Sequence, residues 1–374
     1  MKISIVQGAF LPVPARRGGA VEKIWFALGQ EFARRGHEVT HYSRLCDGLP
    51  EQETLGGVQH VRVPGADTPR SLIVLKWQDL LYTRRVAERL APADVVVTNT
   101  FWAPLIFSPR QDGPLWVHVQ RYPKGQMFLY HQAARLQTVS TVIADAIVRQ
   151  APSVLSRVCV IRNPLPPLVT PAGAITRDPN LVLFVGRIHP EKGLELLVQA
   201  AGLARRSAPA LRFRFVGPSE IRFGGGGPAF QRKLADLAAG LGAQVEFTGP
   251  VFDESALAAH FASAGVFAYP SLAAKGEASP VAPLEALARG CPVVLSDLAC
   301  FDDAIGRGPF AHRFAHLAPD AAAQLAAVLG RVTSDRAAWP AASAAAEAHA
   351  RRFSVERIAS EYLAGFSTLP AARR

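Results

Sequence analysis

The chain holds 374 residues, 49% of them hydrophobic, with 30 Gly and 29 Pro dispersed along it, a composition that excludes disordered, collagen-like and coiled-coil classes. It is too long for one core, so two domains of roughly 170–200 residues are expected, and no apolar run reaches the roughly 18 residues a transmembrane helix needs. The formal net charge of +11 is uneven: residues 1–170 carry 20 Lys+Arg against 12 Asp+Glu, and residues 171–374 carry 21 against 18. A basic first half suits an anionic partner such as a membrane surface or a phosphorylated acceptor, although charge kept for solubility reads the same way. Basic residues scattered without interleaved aromatics argue against nucleic acid. Cys46, Cys159, Cys291 and Cys300 have no CxxC spacing, which fits a reduced, cytoplasmic protein without a metal site. Met1–Val6 runs straight into a strand-like stretch, so no cleaved signal is expected.

Short β-branched runs alternate with helical patterns throughout, the signature of parallel sheets with crossover helices. The first half offers strands at Ile3–Val6, Glu38–His41, His60–Val63, Asp94–Thr98, Trp116–Val119 and Arg157–Ile161. Between them lie helical patterns at Ala20–Arg35, Ser71–Leu90 and Thr141–Gln150. The second of these mixes an apolar face with Trp77, Arg84, Arg85 and Arg89, which reads as a buried crossover helix or as a face for a membrane surface. Asn163–Pro179 holds five prolines and no periodicity, so a linker is expected there. A second strand series follows at Leu181–Val185, Leu211–Val216, Gln244–Phe247, Val266–Tyr269 and Pro292–Leu295, and the Ala-rich stretch Asp320–Phe366 reads as helical. The chain thus predicts an α/β protein of two Rossmann-like doubly wound domains facing across a cleft. Ligands in such sheets bind beyond the carboxyl ends of the strands.

Two stretches carry chemistry. Strand Leu181–Val185 runs into Gly186-Arg187-Ile188-His189-Pro190-Glu191-Lys192-Gly193 and then a helix. Two cations and a helix N-terminus there could hold a diphosphate and neutralise a leaving group without metal. In KGEASPVAPLEALARGCPVV, Glu277 and Glu285 stand eight residues apart in a loop–helix–strand pattern. Ser279 is expected to cap a helix opening with Pro280, which leaves Glu277 at the helix mouth and Glu285 near its second turn. Paired carboxylates beside an anion site suit a ligand that is half sugar, half diphosphate. His118 closes strand Trp116–Val119, where a lone histidine is structural or functional, and Gly224–Gly227 reads as a flexible loop or a phosphate cradle. No D-x-D, GxGxxG with a trailing acid, G-x-S-x-G or P-loop is present.

LFVGRIHPEKGLELLVQA, FRFVGP, VEFTGPV and the two-glutamate stretch with EALARGCPVVLSDL resemble the nucleotide-binding half of family-four retaining glycosyltransferases, the group 1 enzymes of GT-B architecture. ARRGGAVEKIWFALGQEFARRGHEV resembles the family's opening. The resemblance implies an N-terminal acceptor-binding domain at 1–165, a linker at 166–180, a nucleotide-sugar domain at 181–350, and a last helix at 351–374 returning toward the first domain. It implies a metal-independent enzyme without a bound cofactor, moving a hexosyl or related group from a nucleoside-diphosphate sugar to a hydroxyl of a glycan or lipid-linked acceptor with retention. The setting would be bacterial cell-surface polysaccharide or glycolipid synthesis, at the cytoplasmic membrane face. Arg187 and Lys192 would hold the diphosphate, Glu285 the ribose, and Glu277 the sugar or reacting centre. Ala278 and Ser279 would add sugar contacts, Gly18 and Gly19 would let a loop approach the phosphates, and His118 would stand near the sugar and leaving oxygen. Ser279-Pro280 departs from the usual Phe-Gly after the first glutamate. A nucleotide-sugar epimerase or a non-catalytic sugar-nucleotide-binding subunit are the alternatives.

Overall fold

The computed structural model describes residues 1–16, 19–69, 71–275 and 277–370. The chain divides into two compact units, Met1–Pro166 with Ser354–Arg374, and Pro167–Phe353.

The first unit runs β1 (Lys2–Val6), α1 (Ala20–Arg34), β2 (Glu38–Leu45), β3 (Gln52–Leu55), β4 (Val58–Pro64), α2 (Leu72–Ala87), β5 (Val95–Thr98), α3 (Ala103–Ile106), β6 (Leu115–Val119), β7 (Arg135–Thr138), α4 (Thr141–Gln150) and β8 (Val158–Val160). Its sheet has the order β3-β4-β2-β1-β5-β6-β7-β8. Only the edge strand β3 pairs antiparallel; the other pairings are parallel. β5 and β6 are buried along their whole length, as strands covered on both faces must be.

The second unit contains β9 (Asp178–Val185), α5 (Leu194–Ala204), β10 (Arg212–Val216), α6 (Pro228–Leu241), β11 (Val245–Gly249), α7 (Glu254–Ser263), β12 (Ala264–Tyr269), α8 (Val281–Leu287), β13 (Val293–Ser296), α9 (Cys300–Ala304), β14 (Ala311–Phe314), α10 (Ala321–Ser334) and α11 (Trp339–Ala350). Its all-parallel sheet is ordered β11-β10-β9-β12-β13-β14. In each sheet the chain winds outward from one strand and then resumes on that strand's other side. The order therefore reverses between β1 and β5 in the first unit, and between β9 and β12 in the second. Those reversals are where open α/β sheets leave a crevice for a ligand.

The Ala-rich stretch is helical, divided into three helices. α10 stops at Ser334, α11 starts beside Pro340, and α12 (Val355–Ser367) opens at Ser354, whose side chain accepts from Arg357 N. The last of these belongs to the first unit. It lays Val355, Ile358, Ala359, Tyr362 and Phe366 into the core with Trp25, Phe32 and Trp116. Phe366 meets Trp116 edge to face at 4.9 Å, and Tyr362 meets Trp25 at 5.1 Å, geometries worth about 0.5–1.5 kcal/mol each beyond burial. Gly365 makes this approach possible, because a Cβ there would come within 2.6 Å of the Trp116 ring.

Strands β3, β7 and β14 escaped the sequence pattern. Gln52–Leu55 is a largely exposed edge strand, whereas Arg135–Thr138 and Ala311–Phe314 carry Arg, Gln and His among their four residues. Helix α2 is shorter than Ser71–Leu90 and is inside out at its start. Leu72, Ile73, Val74 and Trp77 are exposed, while Asp79 and Thr83 are buried.

Candidate active site

The second unit's switch point carries charge. β9 ends at Val185 and its loop brings Arg187, Glu191 and Lys192 past the strand end; the neighbouring β12 ends at Tyr269 and is followed by Ser271 and Glu277. The two loops are tied together, since Leu272 N donates to Glu191 O at 2.8 Å and Ser271 Oγ lies 3.3 Å from the same oxygen. Glu277 is buried and its Oε1 accepts from Lys192 Nζ, from Ser271 Oγ at 2.9 Å and from Tyr269 OH at 3.2 Å. The Lys192 side chain is only 8% exposed and that of Glu277 5%, so each is the other's compensation for desolvation. Burial pushes the Tyr269 phenol well above its usual pKa, and the Glu277 charge pushes it the same way, so it stays a donor.

Outside this buried pair the chain of charges continues. Arg187 Nη2 bonds Glu191 Oε1 at 2.6 Å, and Lys192 Nζ lies 3.9 Å from that oxygen. Arg187 is 43% exposed and Glu191 31%, so this end faces solvent. Arg187 Nη1 also donates to Gly224 O at 2.8 Å, and Gly226 N donates to Ile188 O at 2.8 Å, which lays the four-glycine loop against the Arg187 loop. Four groups thus alternate in sign, Arg187, Glu191, Lys192 and Glu277, from a wet end to a dry end. Arg187, at the exposed end, can meet an anion from solvent, whereas Lys192 is committed to Glu277.

Helix α8 starts one residue later than its sequence suggests. Pro280, in an extended conformation, occupies the cap position and Val281 opens the helix, with no side-chain cap bond; Ser279 is buried just before it and does not cap. Glu285 stands half-buried on the second turn. Arg289, one turn on, donates to the Glu285 carbonyl at 3.1 Å. Ala278 is half-buried between Glu277 and Ser279.

The first unit's switch point carries amides instead. Gln7 follows β1 and Asn99 follows β5, and Asn99 Nδ2 donates to Gln7 Oε1 at 3.2 Å. One strand further, His118 is 3% exposed, with Nδ1 2.5 Å from Gln137 Oε1 and its ring 5.4 Å from that of Trp25. Burial lowers the His118 pKa, and the amides of Gln137 and Gln120 partly offset this. Gly19, at φ 108°, precedes α1; a Cβ there would lie 2.2 Å from Glu22 Oε2. Burial raises the Glu22 pKa, with Arg121 among the opposing influences. Gly18 lies outside the described residues. Arg187, Lys192 and Glu277 are thus joined in one network of the second unit, with Glu285 on the adjoining helix; Gly19 and His118 lie in the first.

Sequence reasoning did not single out Tyr269, Ser271 or Glu191. Glu191 sits inside the Arg187–Lys192 motif, and the loop between strand and helix turns its carboxylate onto Arg187. Tyr269 is the last residue of a predicted strand, where a polar end signals the ligand side of a parallel sheet. Among the described residues no group of three or more His, Cys, Asp or Glu is placed to hold a metal ion.

The glycosyl transferases group 1 family matches residues 179–335. A D-inositol 3-phosphate glycosyltransferase of Geodermatophilus obscurus is 35% identical over 196 residues, covering 52% of this chain and 41% of that protein. The chain spans about half the length of the curated relatives it matches. Sucrose-phosphate synthase from Thermosynechococcus elongatus superposes with a TM-score of 0.77 at 19% identity, covering 98% of each chain. Anabaena HepE, solved with UDP and glucose, gives 0.70 at 19% identity over 99% of this chain and all of that one. At such identities these two structures speak for the fold alone, and they share it with this chain from end to end.

Proposed function

Residues 179–335 belong to the glycosyl transferases group 1 family and sit in a chain of GT-B fold, and from that premise we propose that the protein moves a hexosyl or related group from a nucleoside-diphosphate sugar to a hydroxyl acceptor, with retention. The observation that carries this reading is the buried Lys192–Glu277 pair at the β9/β12 reversal, linked to the exposed Arg187 through Glu191. Such a row offers a diphosphate two cations while keeping a carboxylate beside the sugar. Preorganised charge in a dry site stabilises a leaving group strongly because it need not reorganise during reaction.

In the proposed reaction the bond from the anomeric carbon to the diphosphate breaks, and its electron pair leaves on the diphosphate. Arg187 and Lys192 compensate that charge, so no metal is needed. The acceptor oxygen then bonds the anomeric carbon on the vacated face, and its proton passes to the departing diphosphate oxygen. Glu285 holds the ribose, while Glu277, Ala278 and Ser279 hold the sugar. Gly18, Gly19 and His118 are the first unit's candidate contributors, the glycines toward the phosphates and His118 toward the sugar.

The acceptor is a glycan or a lipid-linked glycan of bacterial cell-surface synthesis, met at the cytoplasmic face of the membrane. Support comes from the start of α2, where Leu72, Ile73, Val74 and Trp77 are 71%, 83%, 42% and 59% exposed. The exposed cations Arg84 and Arg85 follow on the same helix. Apolar side chains beside cations suit an anionic bilayer surface. Among the described residues no helix is long and apolar enough to cross a membrane.

A thermal-shift panel of UDP, GDP, ADP and dTDP with their sugars tests the donor. One nucleotide should stabilise the protein by roughly 2.7 kcal/mol at 100 times its dissociation constant, and Glu285→Ala should weaken that response. No response to any member, with no donor turnover, would overturn the reading. Nucleotide release without glycosyl transfer to any hydroxyl acceptor would favour epimerisation.

A further inference from the structure

His118 and Gln137 are register partners on the parallel strands β6 and β7, so their side chains leave the same face of the sheet and meet. The amide of Gln137 has one orientation that satisfies its surroundings. Its NH₂ group donates to Thr138 O at 2.7 Å and to Ile161 O at 2.8 Å, and two carbonyls cannot be donors. Oε1 is thereby turned toward Tyr362 OH, which donates at 3.0 Å, and toward His118 Nδ1 at 2.5 Å. An amide oxygen offers only lone pairs, so the proton of that second bond must come from Nδ1. A neutral imidazole has one N–H, which leaves Nε2 without a proton; it is buried and has no partner in hydrogen-bond geometry among the described residues. The Gln120 amide, whose Oε1 is likewise unpartnered, is the other side chain that acts on the ring.

We propose that Gln137 is a positioning residue: clamped by two backbone carbonyls and by Tyr362 of α12, it fixes His118 as the neutral Nδ1–H tautomer and presents Nε2 as an acceptor for a hydroxyl of the sugar. The hydroxyl as ligand rests on the placement of His118 under Proposed function; the tautomer does not. A bare ring nitrogen accepts from a hydroxyl and repels an anion, so this corner selects the sugar rather than the phosphates. The surroundings keep the imidazole neutral. Burial lowers its pKa, and the titratable neighbours are themselves held uncharged, Tyr362 pushed well up by burial and Cys159 on β8 to about 11. Trp25 closes the other side with its ring edge.

The test is ¹⁵N NMR of the full chain labelled at histidine, with the His118 signals assigned by their loss in His118→Asn. At pH 7 the wild type should show a protonated Nδ1 and an unprotonated Nε2. An Nε2–H tautomer, or an imidazolium, would overturn the proposal without any variant having to fold. Gln137→Glu should hold a proton on both ring nitrogens and move the acid limb of the pH–rate profile upward by a unit or more. Gln137→Leu should release the tautomer and lower kcat about tenfold, with the Kd for the nucleoside diphosphate unchanged. Tyr362→Phe should leave the tautomer as it is, because the carbonyls alone orient the amide; a tautomer that changes in Tyr362→Phe would remove the clamp from the account. If the Nδ1–H state is observed and His118→Ala transfers sugar at the wild-type rate, the placement of His118 at the sugar falls, while the role of Gln137 in fixing the ring stands.

Discussion

The two sheet reversals of this chain are built from opposite materials. At β9/β12 the strand ends carry four charges in alternating sign, two of them buried against each other. At β1/β5, and one strand on at β6, the same topological position carries the amides of Gln7 and Asn99 and the ring of His118. Identical backbone logic thus produces one place of paired charges with a half-exposed cation at its wet end, and one of neutral hydrogen-bonding groups. Topology says where a ligand goes, and the side chains at the strand ends say which kind.

The contrast breaks most severely at Glu277. Glu277→Ala leaves the Lys192 charge buried and unpaired, at a cost of about 3–5 kcal/mol in stability, and should abolish transfer. Glu277→Gln keeps the shape and the neutral hydrogen bonds of Ser271 and Tyr269 to its oxygen. It removes the counter-charge of Lys192 as Ala does, so it should recover only the hydrogen-bonding and packing part of that loss while kcat falls at least ~10²-fold, read by paired thermal melts and donor-turnover assays. Near-wild-type turnover in Glu277→Gln would make the charge purely structural.

The next largest effect is on pH, and it belongs to the first unit. His60 is driven to about 4 by burial with Arg62 adding, and His41, stacked on it, is driven well below 6.5. The unfolded chain binds these protons below pH 6.5 and the folded chain refuses them, so stability is full above 6.5 and is lost as pH falls toward 4. Asp79 works the other way. Burial raises it to about 6 from 3.8, so the folded chain keeps a proton that the unfolded chain has lost, and stability falls as pH rises through that window. Asp79→Asn should therefore raise stability at pH 7 by about 3 kcal/mol and steepen the acid loss. His60→Leu should flatten the acid loss. Urea melts from pH 4 to 8 read both slopes, and parallel slopes in all three proteins would refute the assignment.

A smaller effect is expected where polar and apolar are exchanged. The double change Ile73→Ser with Trp77→Ser should reduce binding to anionic vesicles by about tenfold in a flotation assay. Nucleotide binding and melting temperature should stay as they are, because both side chains are exposed. Equal binding to neutral and anionic vesicles would rule out the charge part of that surface.

Most of the strands were legible because buried parallel strands read as runs such as Val95–Val97, Val266–Tyr269 and Val293–Leu295. Arg135–Thr138 was not, since its polar residues serve neighbours distant in sequence: Gln137 reaches Ile161 and Tyr362, which no local pattern reports. The same reason hid part of the site. Lys192 and Glu277 are 85 residues apart and are joined only by the adjacency of β9 and β12. Their residue types and strand-end positions suggested one pocket, but the partners Ser271 and Tyr269 are ordinary until the loop folds. Ser279 misled because a good cap residue preceded Pro280, whose extended conformation moved the helix start to Val281.

The last helix gives the molecule an order of assembly. The first unit is cut in two by the second, and α12 supplies Tyr362 and Phe366 to an aromatic cluster whose other members, Trp25, Phe32 and Trp116, are made more than 200 residues earlier. On a ribosome the second unit is complete before that patch is covered. A nascent chain halted near Phe353 would therefore carry a finished second unit and an uncapped core in the first, an exposed aromatic surface of the kind chaperones hold.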